Sequence, residues 1–197
     1  MALKVYNYLS REVERFKPIQ PETVGLYVCG PTVYSHAHLG HARTYIVMDV
    51  IVRYLAYRGY KVRYVRSLAD AGFPPEAGEE RVSRGGRRTF VEPMELVDTY
   101  INSFNDDMDA LGVKRPNIAP RATCHIPDII TWIQDLLARG YAYEVAGNVY
   151  FSVEKFPEYG KFSRRQPEEV QADARVATYE DKRNPADFVL WKRAEAD

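Results

Sequence analysis

Apolar and polar residues fall into two kinds of pattern along this chain. Val24 to Cys29 reads Val-Gly-Leu-Tyr-Val-Cys and runs into Gly30-Pro31, which predicts a short buried strand closed by a turn. From Leu39 to Arg58 apolar residues recur at three- and four-residue steps through Tyr45, Met48, Val52 and Leu55. Ile46, Val47, Ile51 and Tyr54 widen that face. The spacing predicts a heavily buried helix that stops at Gly59. Val62 to Val65 predicts a second strand. Strand, helix and strand in direct succession form the pattern of a βαβ unit, whose strands are normally parallel.

Ser67 to Glu92 breaks the periodicity. Pro74-Pro75, Gly78 and Gly85-Gly86 interrupt it, and Glu76, Glu79 and Glu80 are followed by Arg81, Arg84, Arg87 and Arg88. An irregular excursion is expected there, with a helical turn near Glu80 to Ser83. Pro93 suits a first helical turn, and Met94, Val97, Ile101, Phe104, Met108 and Leu111 then mark an amphipathic helix ending at Gly112. Pro127 to Arg139 predicts another, with Ile130, Ile133 and Leu137 on one face and Gly140 as its stop. Ala142 to Glu144 and Val149 to Val153, joined through Gly147-Asn148, predict a hairpin. Phe156 to Asn184 is polar and turn-rich, and Phe188 to Trp191 is a last short apolar run. The fold class expected is α/β, in one domain over 1–197. Within it lie a βαβ unit over 20–66, an excursion over 67–92 and a helical and hairpin insertion over 93–183. No closing element precedes Asp197, as in a piece of a larger protein.

Composition narrows the class. An apolar share of 46% over 197 residues is enough to bury a core, which excludes disorder throughout. Lys and Arg number 27 against 27 Asp and Glu, which excludes a polybasic nucleic-acid binder while leaving room for a local basic patch. No apolar run reaches the ~18–20 residues of a membrane span, so no membrane partner is expected. Met1 to Tyr6 is not the basic-then-apolar pattern of a signal peptide. The two cysteines, Cys29 and Cys124, cannot build a disulfide scaffold, which suits a reducing cytoplasm.

Chemistry concentrates between the first strand and the first helix. His36, His38 and His41 lie there, at the carboxyl end of a strand that faces a helix N-terminus. Parallel α/β sheets bind ligands at that place, and free backbone N–H groups favour phosphate. Imidazoles there can donate to charge that grows on phosphorus. Gly40, between two of them, lets a base or ribose approach the backbone. The reading is a nucleotide phosphate held by His38 and His41. Two others stand beside it. The histidines can be surface residues without a ligand, or His36, His38 and His41 with Cys29 can supply the four N/S ligands of a zinc site. Cys29 itself can be a small buried apolar residue. Cys124-His125, ahead of a helix, reads as structural.

Cys29-Gly30-Pro31-Thr32-Val33-Tyr34 followed by His38-Leu39-Gly40-His41-Ala42-Arg43-Thr44 resembles the first signature of cysteinyl-tRNA synthetases. These are class I aminoacyl-tRNA synthetases with a Rossmann-like catalytic domain, a parallel sheet with helices on both faces. Asn105 to Leu111, Pro120 to Thr123, Lys155 to Gly160 and Asn184 to Lys192 are similar to further family segments, in order. The resemblance implies that ATP, with Mg2+, reacts with cysteine to give cysteinyl-adenylate, and that the cysteinyl group passes to tRNA(Cys). It implies catalytic roles for His38 and His41 in the HIGH-type motif. It also implies nucleotide binding by Pro31, Thr32, Tyr34, His38, Gly40 and His41, and substrate binding by Cys29, Gly30, Thr32 and Asp70. Cys29 matches the first ligand of a zinc ion that grips the substrate thiolate; a zinc site prefers a thiolate to a hydroxyl. The other zinc ligands, the lysine-rich ATP motif and the anticodon-binding domain are expected beyond Asp197, so this stretch alone is expected to be inactive and to hold no zinc. Oligomeric state is left open.

The chain also departs from the family pattern. Ser67-Leu68-Ala69-Asp70 stands where many members read Asn-hydrophobic-Thr-Asp, so Ala69 lacks a hydroxyl donor. Ala71-Gly72-Phe73-Pro74 diverges, and Cys124 stands where glutamate is common. The Arg81 to Arg88 run reads as a solvated charge run rather than a tRNA contact. Two other classes remain: a truncated relative that binds nucleotide, amino acid or RNA without catalysis, and a metal-dependent hydrolase built on the histidines.

Overall fold

The computed structural model describes residues 2–71, 93–164 and 181–193. Residues 72–92, with the expected turn near Glu80 and the Arg81 to Arg88 run, lie outside them. The chain divides into two units, Lys17–Ile126, and Met1–Phe16 together with Pro127–Asp197.

In the first unit, β3 (Thr23–Val28) and β4 (Lys61–Arg66) pair in parallel, Thr23 opposite Lys61 and Val28 opposite Arg66. The βαβ expectation holds. The alignment continues past the strands, where Thr32 bridges Ala69. The segment after the second helix runs parallel to β4 on its other edge, bridging Val65 to Ile118 and Leu68 to Arg121. Helices α1 (Leu39–Tyr57) and α2 (Pro93–Ala110) both send side chains into one core. Tyr45 and Val52 of α1 and Phe104 and Met108 of α2 meet Val28 and Tyr64 of the strands. Both helices therefore lie on one face of the pair. Strand alternation puts Gly25, Tyr27, Lys61 and Arg63 on the other face, where they are exposed.

The helix boundaries match the periodicity, but the burial of α1 does not. Only Tyr45, Asp49, Val52 and Leu55 are buried, while Ile46, Val47, Val50, Ile51 and Tyr54 are exposed. The two strands and α2 cover one side of a helix whose apolar residues extend well beyond that side. Met94 in α2 and Leu111 just past it are likewise exposed and mark the ends of the buried stripe. α1 and α2 end on the same device. Gly59 and Gly112 have φ of 89° and 71°; Gly59 N–H donates to Ala56 O and Tyr60 N–H to Leu55 O, and the Gly112 end repeats this with Asp109 and Met108.

The second unit holds two small sheets. β1 (Lys4–Asn7) and β2 (Glu12–Arg15) form an antiparallel hairpin that the sequence pattern did not signal, since most of its residues face solvent. Tyr8 packs on Phe162 at 5.0 Å and the Arg11 guanidinium lies over Tyr8. β5 (Ala142–Val145), β6 (Asn148–Phe151) and β7 (Phe188–Trp191) pair antiparallel in that order. The hairpin turn is Ala146-Gly147, both at positive φ, rather than Gly147-Asn148. Helix α3 (Ile126–Ala138) packs through Ile129, Ile133, Leu136 and Leu137 onto Ala142, Val149 and Leu190, so Ile130 lies off the buried face. Asp187 is 1% exposed and fully engaged: it accepts from Tyr143 Oη at 2.7 Å, Val153 N at 2.9 Å and Asn184 N at 3.2 Å. Those bonds fix the turn that delivers β7.

Candidate active site

The site grows from the carboxyl end of β3. Cys29 leaves the strand exposed, with a free thiol, and its carbonyl accepts from Tyr45 Oη at 3.1 Å. Gly30 meets the chain just past β4: a Cβ there would lie 1.3 Å from Ser67 O. Ser67 Oγ closes the corner, accepting from Gly30 N at 3.3 Å and from Tyr27 Oη at 2.9 Å. Pro31 is buried, and its carbonyl accepts from Ala69 N while Val33 N donates to Ala69 O. The backbone of Ala69 thus fixes Thr32 although its side chain offers no donor. Tyr34 packs against the cluster of Val33, Leu68, Val97 and Ile101.

His38 and His41 begin α1 as a reciprocal cap. His38 Nδ1 accepts from Gly40 N at 3.0 Å, and His41 Nδ1 accepts from His38 N at 3.2 Å. An Nδ1 that accepts carries no proton, so each neutral ring holds its proton on Nε2. The Gly40 N–H is therefore taken by His38, and the side-chain donors that the two histidines can offer a phosphate are their Nε2–H groups. Gly40 also gives room to the His38 ring: a Cβ there would lie 2.8 Å from His38 Cε1.

The two rings stack at 3.9 Å between centroids, and like charges there repel. Burial, and then His38, hold His41 below the ordinary histidine pKa. His41 should therefore titrate below ~6.5 in a histidine-selective NMR titration. Above that pH both folded and unfolded chains carry it neutral. As pH falls below ~6.5 the unfolded chain binds the proton first, so stability declines until the lowered folded value is passed. A His41 that titrates above 6.5 would contradict the stacked, partly buried pair. Burial also pushes the Tyr45 phenol up to about 12, against the opposing effect of Arg66, which keeps its hydroxyl a donor to Cys29.

The other expected residues engage partners of their own. His36 turns to α2, with Nδ1 at 2.8 Å from Ser103 Oγ and its ring edge-on to Tyr100. Among the described residues no three His, Cys, Asp or Glu side chains are grouped to hold a metal, so the four-ligand reading of Cys29, His36, His38 and His41 is not supported. Asp70 is 2% exposed, and its carboxylate accepts from Thr123 N at 2.9 Å and Thr123 Oγ1 at 2.6 Å, with Arg121 Nε at 3.3 Å. Cys124 is exposed in the short turn Ala122–His125, with a free thiol. Sequence reasoning passed over Ser67, Tyr45 and Arg66. Ser67 stood out only as a departure from a motif, Tyr45 sat inside a helix read for its packing, and Arg66 lay one residue past the strand expected over Val62 to Val65.

At the level of the fold, the chain is similar to a solved structure from Campylobacter jejuni assigned provisionally as an arginyl-tRNA synthetase. The TM-score is 0.50 at 14% identity, over 73% of this chain and 40% of that one. The family described as tRNA synthetases class I (C) catalytic domain matches residues 15–197, and the chain belongs to that family. Cysteine–tRNA ligase of Chlorobium luteolum is 52% identical over 199 residues, 99% of this chain and 41% of that protein. A cysteine–tRNA ligase of Thermus thermophilus is 50% identical over 198 residues, with the same coverage of 99% and 41%. The chain thus spans about two fifths of the length of these curated relatives.

Proposed function

We propose that this chain is the N-terminal catalytic part of a cysteine–tRNA ligase. The observation that carries the reading is the histidine cap: His38 and His41 spend Nδ1 on the helix and present Nε2–H at the carboxyl end of a parallel strand pair. In the reaction a cysteine carboxylate oxygen attacks the α-phosphorus of ATP, the new P–O bond forms and pyrophosphate leaves. A ribose hydroxyl at the end of tRNA(Cys) then attacks the adenylate carbonyl and AMP leaves. The Nε2–H donors suit the charge that grows on the phosphoryl oxygens in the first step. Pro31, Thr32, Tyr34 and Gly40 line the approach for the nucleotide, and Gly30, packed against the Ser67 backbone, holds Cys29 at the amino-acid end. Mg2+ accompanies the ATP phosphates. Asp70 acts indirectly, holding Thr123 and Arg121 beside the Leu68–Ala69 segment.

For zinc, the described residues contribute one thiolate, Cys29, and do not complete a site; the remaining ligands belong to the longer protein. No helix among the described residues is long and apolar enough to cross a membrane. We place the protein in the cytoplasm, where its free, exposed thiols would stay reduced.

The test is ATP–pyrophosphate exchange by the full-length protein that carries this chain. Label should enter ATP only when cysteine is present, and serine should not replace it. Nucleotide binding without exchange would favour the non-catalytic relative and set this reading aside.

A further inference from the structure

Arg66 closes β4 on the same face as Tyr64 and is 2% exposed. Among the described residues neither Nε nor Nη1 has an acceptor in hydrogen-bonding geometry, and the polar group beside the guanidinium is the Tyr64 hydroxyl. Its guanidinium lies over two aromatic rings, 5.0 Å from the Tyr45 centroid and 4.8 Å from that of Phe104. Those contacts offset part of the desolvation, but a buried charge with unmet N–H groups costs stability that an apolar side chain of similar length would not. Packing alone therefore does not account for an arginine here.

The two rings beneath it point to another role. Tyr45 stacks parallel to His41 at 6.5 Å and Phe104 stands edge-on to the same ring at 6.4 Å. Tyr45 also donates to the Cys29 carbonyl. One guanidinium thus lies behind both the phosphate end and the amino-acid end of the candidate site. We infer that Arg66 is a positioning residue for adenylate formation: it fixes Tyr45 and Phe104, and through them the His41 ring and the Cys29–Gly30 corner. The inference rests on the proposed ligase function.

The experiment compares Arg66→Met and Arg66→Lys with wild type in the full-length protein, by thermal unfolding, cysteine-dependent pyrophosphate exchange and the NMR resonances of the His41 ring. Arg66→Met should unfold at or above the wild-type temperature. Its kcat/KM should fall about 10- to 100-fold, the scale of a small misplacement at a reacting centre. KM for cysteine should rise, which mere loss of folded enzyme would not produce, and the His41 resonances should move. Arg66→Lys should recover only part of the rate, because an ammonium is a point charge and not a plane lying over two rings. Wild-type kcat and KM in Arg66→Met would overturn the proposal. So would a fall in unfolding temperature of more than ~5 °C in both variants, or failure of both to fold, since Arg66 would then carry the fold. If wild type itself shows no exchange, the ligase reading fails; the unfolding temperatures and His41 resonances still decide whether Arg66 positions that ring.

Discussion

Gly30→Ala should leave the first unit unable to reach its native fold. A β-carbon at this position would sit 1.3 Å from Ser67 O and 2.5 Å from Ser67 C, both backbone atoms. No rotamer change relieves a clash between two main chains, so β3 and the segment after β4 would have to part. Parting them breaks the Gly30 to Ser67 Oγ bond and the paired bonds of Pro31, Ala69 and Val33 just beyond. Ordinary overpacking costs about 1–3 kcal/mol. Forced separation of hydrogen-bonded backbone should cost more, enough to exhaust a typical stability of ~5–15 kcal/mol once the adjoining core opens. Far-UV circular dichroism and thermal unfolding of the variant read this directly. A cooperative transition at the wild-type temperature would show that the Ser67 carbonyl can move aside, and that the tight corner is not required.

The contrast between legible and hidden parts of the fold follows from where each signal lies. The ends of α1 and α2 are local matters, set by periodicity and by glycines at positive φ, and the sequence carries them openly. The burial of α1 is not local. Ile46, Val47, Ile51 and Tyr54 read as core because they are apolar, yet what covers a helix depends on which strands and helices stand beside it. The β1–β2 hairpin was missed for the converse reason. Lys4–Asn7 and Glu12–Arg15 show no alternation of buried and exposed residues, so no period of two marks them. In the candidate site, His38, His41 and Cys29 were visible because they cluster in sequence. Ser67 became visible only when the parallel register set it against Gly30, and Arg66 only when α1 and α2 placed Tyr45 and Phe104 under it. The close approach of the His38 ring to Gly40 likewise depends on the cap geometry, which no sequence pattern marks.

Replacing His38 by asparagine should separate its two tasks. The side chain caps α1 through Nδ1 and, on the reading above, meets the nucleotide through Nε2–H. Asparagine places its amide oxygen near the position of Nδ1 and ranks among the best N-cap residues, so His38→Asn should keep the Gly40 N–H satisfied and change stability by no more than a few tenths of a kcal/mol. Nothing in it reaches where Nε2 stood. Loss of one preorganised donor to a developing oxyanion costs about 10²–10³ in rate, or ~2.7–4 kcal/mol. His38→Ala loses both functions, and should add a cap penalty of about 0.5–2 kcal/mol to the same fall in rate. The expected pattern is therefore two variants with similarly low pyrophosphate exchange and different unfolding midpoints. If His38→Asn retained full exchange, the Nε2 donor would have no part in adenylate formation and His38 would be a capping residue alone. If the two variants differed in rate as much as in stability, the loss of activity would belong to a displaced helix and not to the missing donor.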